Sequence, residues 1–248
     1  MRNRNTEYRI IENRQIGLNT MRLIMQGPTE EFTAPGQFVN IAVPGFELRR
    51  PISVADIKDD VITIIYDVVG SGTERLAEVK AGETLDVLPA LGNGFDVDKC
   101  GKRPVLLGGG VGCPPIYALA KELVERNILP TVILGFNSAE RMIMIELFEA
   151  LDIPFYVATL DGSYGMKGYV TDVMTAENID ADCFYACGPL PMLRSLCKEL
   201  KMPGQVSLES RMACGFGICV CCSVETKRGP KRICKDGPVF DKDDLIWK

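Results

Sequence analysis

The chain has 248 residues, a length that suits two compact domains and an appendage. Its net charge of −5, with 25% charged and 46% hydrophobic residues, is ordinary for a globular protein and gives no basic face for nucleic acid. Histidine is absent, which excludes a histidine general base, a zinc site that uses histidine and Rieske-type ligation.

The N-terminal sequence, residues 1–16, has no apolar stretch of signal-peptide length. The longest uncharged stretch, residues 104–120, is broken by glycines and prolines and falls short of the roughly 20 apolar residues that span a bilayer. We therefore expect a cytoplasmic protein that binds neither membrane nor nucleic acid. Thiols stay reduced in the cytoplasm, so clustered cysteines there bind metal more often than they form disulfides.

Residues 1–99 are predicted to form an antiparallel β-barrel or sandwich. They contain short β-branched runs separated by Gly, Pro and Asp, with space for one short helix in residues 72–83. The predicted strands lie within residues 38–45, 49–57, 61–70 and 82–95.

Residues 100–204 are predicted to form a Rossmann-like parallel sheet covered by helices, because strand and helix patterns alternate. The alternation ends at Gly204, after which a cysteine-rich segment, residues 205–248, begins. The predicted strands lie within residues 103–110, 130–136, 154–160 and 183–189, and the predicted helices within 114–127, 139–152, 169–177 and 191–201.

A glycine-rich turn joins the first of these strands to its helix, with glycines at Gly108, Gly109, Gly110 and Gly112. Glycine lets backbone N–H groups approach a pyrophosphate, and the start of the helix adds partial positive charge. Pro115 replaces the third glycine of the common dinucleotide motif, and a tight turn without a ligand is the alternative interpretation.

A second candidate motif, Cys187, Gly188 and Pro189, stands at the carboxyl end of a later strand. Ligands of open α/β sheets bind at such ends. A buried core thiol is the alternative role for Cys187.

The β region supplies two further motifs. Arg50, Pro51 and Ser53 offer a guanidinium that can clamp a diphosphate and a hydroxyl that can bond to a flavin ring edge. Gly72 and Thr73 offer a phosphate cradle. A structural role for the Arg-Pro pair is the alternative.

In this order, the motifs RPIS, GSGT, GGGVG and CGP resemble the ferredoxin–NADP reductase superfamily over residues 1–200. The resemblance implies FAD in the barrel, a pyridine nucleotide in the second domain, and Ser53 and Cys187 near the flavin and nicotinamide. The flavin residues that it implies are Arg50, Pro51, Ile52, Ser53, Ile65, Tyr66, Asp67, Gly72 and Thr73, and the nucleotide residues are Gly108, Gly109, Gly110, Gly112, Cys187, Gly188 and Pro189.

Four of the ten cysteines fall within positions 214–222. Cys214, Cys219 and Cys222 have the spacing C-x₄-C-x₂-C, and Cys234 follows after eleven residues, which is typical of a plant-type [2Fe–2S] cluster. Cys221 falls outside this spacing. A four-cysteine zinc site usually has two C-x₂-C pairs, and only one is present here. Zinc and free thiols are the alternatives to the cluster.

The C-terminal sequence, with CGFGICVCC followed by CKDGPVF, resembles the electron-transfer subunits of class 1B dihydroorotate dehydrogenases. The resemblance implies Cys214, Cys219, Cys222 and Cys234 as cluster ligands. It also implies that FAD exchanges hydride with NAD(H) and that the cluster relays single electrons to or from an FMN-containing catalytic subunit. That partner interconverts dihydroorotate and orotate in pyrimidine (UMP) biosynthesis, in a heterotetramer with two copies of each chain.

Two other functions are compatible with the sequence. One is a subunit of an NAD(P)H-dependent ferredoxin or sulfide reductase, and the other is a zinc-binding, thiol-rich regulatory module on a reductase fold. Glu140 and Arg141 follow the second strand, where nucleotide specificity is decided, and the resemblance favours NADH. The cations in residues 227–232 are expected to face an acidic partner, with a solvated hairpin as the alternative.

Overall fold

The computed structural model describes residues 6–99 and 101–247. Its first unit is a six-stranded antiparallel barrel, which confirms the prediction of an antiparallel β domain. The strands close in the order β1-β2-β5-β4-β3-β6, and a short helix α1 follows β5. The elements are β1 (Thr6–Gly17), β2 (Thr20–Gln26), β3 (Phe38–Ile41), β4 (Arg50–Lys58), β5 (Val61–Asp67), α1 (Ser71–Ala77) and β6 (Thr84–Leu91).

The barrel interior is filled by apolar side chains that its strands direct inward. Ile62 and Ile64 of β5 are fully buried, as are Leu23 and Met25 of β2, which pairs with β5. Successive side chains of a strand point to opposite faces, so one face of each ribbon fills the core and the other is free for ligands or neighbouring units.

The second unit is a parallel sheet with helices, as predicted. Its order is β10-β9-β8-β7-β11-β12-β15, in which only β15 is antiparallel to its neighbour. The elements are β7 (Pro104–Gly109), α2 (Cys113–Glu125), β8 (Thr131–Phe136), α3 (Ile145–Glu149), β9 (Phe155–Thr159), β10 (Met166–Lys167), α4 (Val170–Ala176), β11 (Cys183–Cys187), α5 (Leu190–Glu199) and β12 (Gly204–Ser207).

The helix predicted over residues 139–152 is wrong in extent. A 3₁₀ turn covers Ala139–Arg141, and the α-helix begins only at Ile145 because Met144 adopts a left-handed conformation with φ of 62°. This break places the side chains of Ile143 and Met144 in the same apolar core as Phe148. Tertiary packing therefore overrides the helical propensity of this segment.

The strand pattern does not end at Gly204 as expected. β12 extends the parallel sheet, and β15 from the C-terminal segment pairs with β12. The C-terminal segment is thus anchored to the nucleotide sheet by its own edge strand. Its remaining elements are β13 (Ser223–Thr226), β14 (Gly229–Arg232), α6 (Ile233–Asp236) and β15 (Val239–Asp241).

Side-chain bonds join the three segments. Lys121 of α2 forms an ion pair with Asp56 of β4, and Asn93 exchanges hydrogen bonds with the backbone of Val239 at 2.8 and 3.1 Å. Asn40 of β3 donates to the carbonyl of Cys214 at 3.3 Å. These contacts place the barrel, the sheet and the loop that carries Cys214, Cys219, Cys221 and Cys222 (the cysteine loop) against one another. In the described ranges, no helix has both the length and the apolar character needed to cross a membrane.

Candidate functional site: a two-unit cavity beside a cysteine loop

A cavity of about 330 Å³ lies between the barrel and the carboxyl ends of the parallel strands. It brings together nine of the residues predicted from separate motifs, which come from both units. They are Pro51, Ser53, Asp67, Gly109, Gly110, Gly112, Cys187, Gly188 and Pro189.

The glycine-rich turn and the CGP segment pack directly against each other at this cavity. A Cβ on Gly112 would overlap the carbonyl of Cys187, and a Cβ on Gly109 would lie 2.7 Å from Met192 Sδ. Gly110 has φ of 53°, which favours glycine. Gly108 serves packing instead, because it lies outside the cavity lining and a Cβ there would lie 2.7 Å from Leu134.

A separate group of predicted residues stands at the barrel end. The Arg50 guanidinium fills the space beside the Cα of Gly72 and lies 5.0 Å from the centre of the Phe46 ring. The Thr73 hydroxyl accepts from the backbone N–H of Val69 at 2.9 Å, which fixes the loop before α1. Arg50, Gly72 and Thr73 lie outside the cavity lining.

Three predicted flavin residues turn their side chains away from the cavity. Tyr66 packs in the barrel core, and Ile65 packs in the core between the units. Ile52 packs on the barrel core. None of the three residues lines the cavity.

The cavity contains polar residues that the sequence analysis missed. Ser207 is paired with Cys187 across β12 and β11, and both residues and Glu209 line the cavity. Burial raises the pKa of Cys187 to about 12, against the opposing effect of the Ser207 hydroxyl, and desolvation also raises the pKa of Glu209. Ser207 ends β12 and Glu209 follows it, so recognising β12 as a strand would have marked its carboxyl end as a ligand site.

The cysteine loop brings the predicted ligands together in two pairs. The Sγ atoms of Cys214 and Cys219 are 3.4 Å apart, and the backbone N–H of Cys234 lies 3.4 Å from Cys222 Sγ. Within residues 6–99 and 101–247, no three ligating side chains converge at metal-binding distances. The exposed thiol of Cys221 lies 3.7 Å from the carbonyl of Arg211 and belongs to neither pair.

The electrostatics of these thiols suit a metal cluster. Burial opposes ionisation of Cys214, but N–H groups of Cys219, Phe216 and Ile218 outweigh it and lower its pKa to about 6. Burial and the neighbouring Cys222 and Cys214 thiols raise the pKa of Cys234 to about 12. Ionisation of Cys234 is therefore favoured by a cation beside it, so the donor set fits a thiolate-bound cluster.

The outer side of the loop is apolar. Phe216, Ile218 and Val220 are 45%, 68% and 75% exposed. The cations of the neighbouring β13–β14 hairpin are partly satisfied within the chain, since Arg228 pairs with Asp244 at 3.2 Å and Arg232 with Asp236 at 3.3 Å. The loop therefore offers an apolar rim more than a cationic one.

A barrel joined to a parallel nucleotide-binding sheet, with a shared cavity and a thiol-rich loop beside it, defines a ferredoxin–NADP reductase-type oxidoreductase with an iron–sulfur segment. Comparisons support each part. Residues 209–246 match the iron-sulfur cluster binding domain of dihydroorotate dehydrogenase B, and residues 106–198 match the oxidoreductase NAD-binding domain.

Whole-chain relatives are more specific. The electron transfer subunit of dihydroorotate dehydrogenase B (NAD(+)) from Fusobacterium nucleatum is 42% identical, covering 94% of this chain and 95% of that protein. The Shouchella clausii subunit of the same name is 38% identical over 99% of this chain and 100% of its own length. The chain belongs to the family of dihydroorotate dehydrogenase B (NAD(+)) electron transfer subunits.

Solved structures agree on the architecture. The NADH-dependent reduced ferredoxin–NADP oxidoreductase has a TM-score of 0.87 and 32% identity, covering 97% of this chain and 90% of that chain. The Neisseria gonorrhoeae ferredoxin NADP⁺ reductase with bound FAD and NADP has a TM-score of 0.68 at 18% identity and shows the fold alone. The predicted oxidoreductase class and the FAD, iron–sulfur and NAD(H) cofactors are confirmed, and zinc is disfavoured.

Proposed function

We propose that this chain exchanges a hydride with NAD(H) at FAD and relays single electrons through a [2Fe–2S] cluster to or from an FMN-containing dihydroorotate dehydrogenase subunit. One observation carries the proposal. Met212 lines the cavity that the flavin and nucleotide motifs share, and it lies two residues before Cys214 of the cysteine loop. The hydride site and the one-electron site are therefore contiguous.

The protein positions its cofactors, and the cofactors supply hydride and single-electron chemistry when they are bound. Arg50 clamps the flavin diphosphate, because its guanidinium is held by the Phe46 ring and the Gly72 backbone leaves space for it. Gly72 and Thr73 form the rest of this cradle. Ser53 places its hydroxyl in the cavity, where it can bond to the flavin ring edge.

The nucleotide binds along the turn of Gly109, Gly110 and Gly112, at the start of the 13-residue helix α2. Cys187 stays a neutral thiol at physiological pH, because its pKa is about 12, so it packs beside the nicotinamide rather than acting as a nucleophile. Glu209 is an exposed residue at the edge of the same cavity, and desolvation raises the pKa of its carboxyl group, which can hold a proton there.

Cys214, Cys219, Cys222 and Cys234 are the proposed cluster ligands. The support is the ferredoxin-like spacing and the pairing of their thiols on one loop and α6. Cys221 is excluded, because its thiol lies against the Arg211 carbonyl and not beside either pair.

The catalytic partner contacts the apolar rim of Phe216, Ile218 and Val220. Exposed apolar patches with polar surroundings mark interaction sites, and this patch covers the loop of the proposed cluster. A heterotetramer with two copies of each chain and a cytoplasmic location complete the proposal, and the name electron transfer subunit that its relatives carry supports a catalytic partner.

The test is orotate reduction by NADH with the purified chain, with and without an FMN-containing dihydroorotate dehydrogenase subunit. We expect the chain alone to pass electrons from NADH to artificial dyes and to reduce orotate only when the partner is present. Orotate turnover by this chain alone would contradict the relay.

A second candidate function is a ferredoxin reductase subunit, which the 32% identity over 97% of the chain to the ferredoxin–NADP oxidoreductase structure supports. Replacing the FMN subunit with ferredoxin in the same assay separates the two candidates. Faster NADH-dependent reduction of ferredoxin than of the FMN subunit would favour the second.

A further inference from the structure

Asn40 is a fully buried polar residue on the strand between the cavity and the cysteine loop. It pairs with Pro51 across β3 and β4, and Phe38 pairs with Ser53 two positions away. Paired residues of neighbouring strands project from the same face of a sheet. Asn40 therefore stands on the barrel face that carries Pro51 and Ser53 of the proposed flavin site.

The Asn40 side chain holds the loop of the proposed cluster. Its Nδ2 donates to the carbonyl oxygen of Cys214 at 3.3 Å. The next residue, Gly215, has φ of 76°, and a Cβ there would overlap Asn40 Nδ2. The loop can approach this amide so closely because position 215 is glycine.

The oxygen atom of the same amide forms no hydrogen bond within the part of the chain that the structure describes. This atom, Oδ1 of Asn40, is buried. A buried, unpaired acceptor makes an amide less stable than an apolar side chain of the same shape. Leucine would remove this unpaired acceptor but would also remove the donor to the Cys214 carbonyl, so the use of an amide at this position lies in its bond to Cys214.

We propose that Asn40 is a positioning residue that fixes Cys214, and with it the cluster, against the flavin face of the barrel. The inference rests on the proposed function for its link to electron transfer. Outer residues that orient metal ligands typically change metal affinity or activity by about 10–100-fold when they are removed. The Asn40 amide has this relation to Cys214 through the Cys214 carbonyl.

The test uses the holoprotein with Asn40→Leu, which removes both amide groups, and Asn40→Asp, which keeps the shape and loses the donor. Iron release to a ferrous chelator is timed anaerobically, and the electron paramagnetic resonance spectrum of the dithionite-reduced cluster is recorded. We expect both variants to release iron about tenfold faster or more and to give broadened spectra. We also expect NADH to reduce the flavin at the wild-type rate and the cluster more slowly.

Thermal unfolding distinguishes positioning from packing. Asn40→Leu should unfold near the wild-type temperature, because removal of the unpaired acceptor offsets loss of the bond to the Cys214 carbonyl. A purely structural Asn40 would give the opposite result, with a lower unfolding temperature and unchanged iron release.

Gln37→Leu is the matched control. Gln37 is a buried amide just before β3, and it bonds to the Gly92 carbonyl at 3.0 Å and the Thr33 N–H at 2.7 Å, away from the cysteine loop. Gln37→Leu should lower the unfolding temperature and leave iron release unchanged.

Wild-type iron release and spectra in Asn40→Leu would overturn the proposal for Asn40. Failure of NADH to reduce the wild-type cluster would instead contradict the proposed function, and iron release would still decide the role of Asn40.

Discussion

The guanidinium of Arg50 occupies the space that any side chain at Gly72 would fill. The two residues come from β4 and α1, and β5 separates them in sequence. The Phe46 ring supports the guanidinium from another side at 5.0 Å. Because Gly72 has no side chain, the Arg50 guanidinium can occupy this position, where we propose that it holds the flavin diphosphate.

Gly72→Ala is therefore expected to weaken FAD binding without removing any charge, because the new methyl group displaces the Arg50 guanidinium. Arg50→Ala removes the charge itself, and Arg50→Lys replaces a two-pronged donor with a point charge. Loss of a charged hydrogen bond typically costs about 1.5–3 kcal/mol, or roughly 10–150-fold in affinity. FAD content after gel filtration and titration of the apoprotein measure the effect.

Gly70→Ala is the control for this pair. Gly70 has an extended backbone, and no atom lies within 4 Å of an added Cβ. It should retain FAD at the wild-type level. Equal FAD retention by Gly72→Ala and Gly70→Ala would contradict the role assigned to the contact.

Ser53→Ala should keep the flavin and slow its reduction by NADH. The hydroxyl lies in the shared cavity, away from the Arg50 site. Loss of one neutral hydrogen bond typically costs about 0.5–1.5 kcal/mol, so the rate should fall roughly 2–10-fold. Stopped-flow absorbance at the flavin band measures it, and an unchanged rate at full FAD occupancy would remove Ser53 from the mechanism.

Single serine substitutions at the five cysteines of this region test the ligand set. Cys214→Ser, Cys219→Ser, Cys222→Ser and Cys234→Ser should lose iron, because serine is a poor substitute for a thiolate ligand. Cys221→Ser should keep its iron. Iron and sulfide are counted after anaerobic purification. Iron loss in Cys221→Ser with retention in Cys222→Ser would show that the assigned register is wrong.

The apolar rim is tested by placing charge on it. Ile218→Asp or Val220→Asp should weaken binding of the FMN subunit by burying a carboxylate at the interface, with little effect on iron content or NADH–dye activity. Leu129→Asp is the control, since Leu129 is 65% exposed on a different loop, between α2 and β8. Binding is measured by analytical ultracentrifugation. Equal weakening by Leu129→Asp would remove the special role of the rim.

Charge reversal at Lys231 tests the cationic hairpin separately. If ion pairs with the partner contribute, Lys231→Glu should weaken the complex and steepen its loss with added salt. Arg228 is a poorer choice for this test, because its reversal also breaks the ion pair with Asp244.

Asp241 should help to hold the C-terminal segment on the sheet, and this contribution to stability should be lost in acid. Burial raises its pKa, but hydrogen bonds from Gln205 and Lys99, each at 3.0 Å, outweigh burial and lower the pKa below its ordinary 3.8. A carboxyl group whose folded pKa is lowered stabilises the fold above its unfolded pKa and loses that contribution as the pH falls through the folded pKa. Asp241→Asn should therefore be less stable at neutral pH and lose less stability below pH 3.8 than wild type. Denaturant unfolding across this range measures the difference, and parallel pH profiles would contradict it.

Local sequence determined much of this molecule. Runs of β-branched residues predicted the barrel strands β3 to β6 but not β1 and β2, and the glycines after β7 predicted the turn into α2, because these features depend on neighbouring residues alone. The cysteine spacing likewise singled out four thiols, which the structure places in two pairs. The order of the motifs was enough to indicate the class of oxidoreductase.

Tertiary structure decided the rest, because the deciding contacts join residues far apart in sequence. The break before α3 arises from burial of Ile143 and Met144, which outweighs a helical pattern. β12 and β15 have four and three residues, too few to stand out as strands until they pair at the edge of the sheet. For the same reason the Arg50–Gly72 contact, the place of Glu209 in the cavity and the bond from Asn40 to Cys214 follow from how the segments pack, and not from any local pattern.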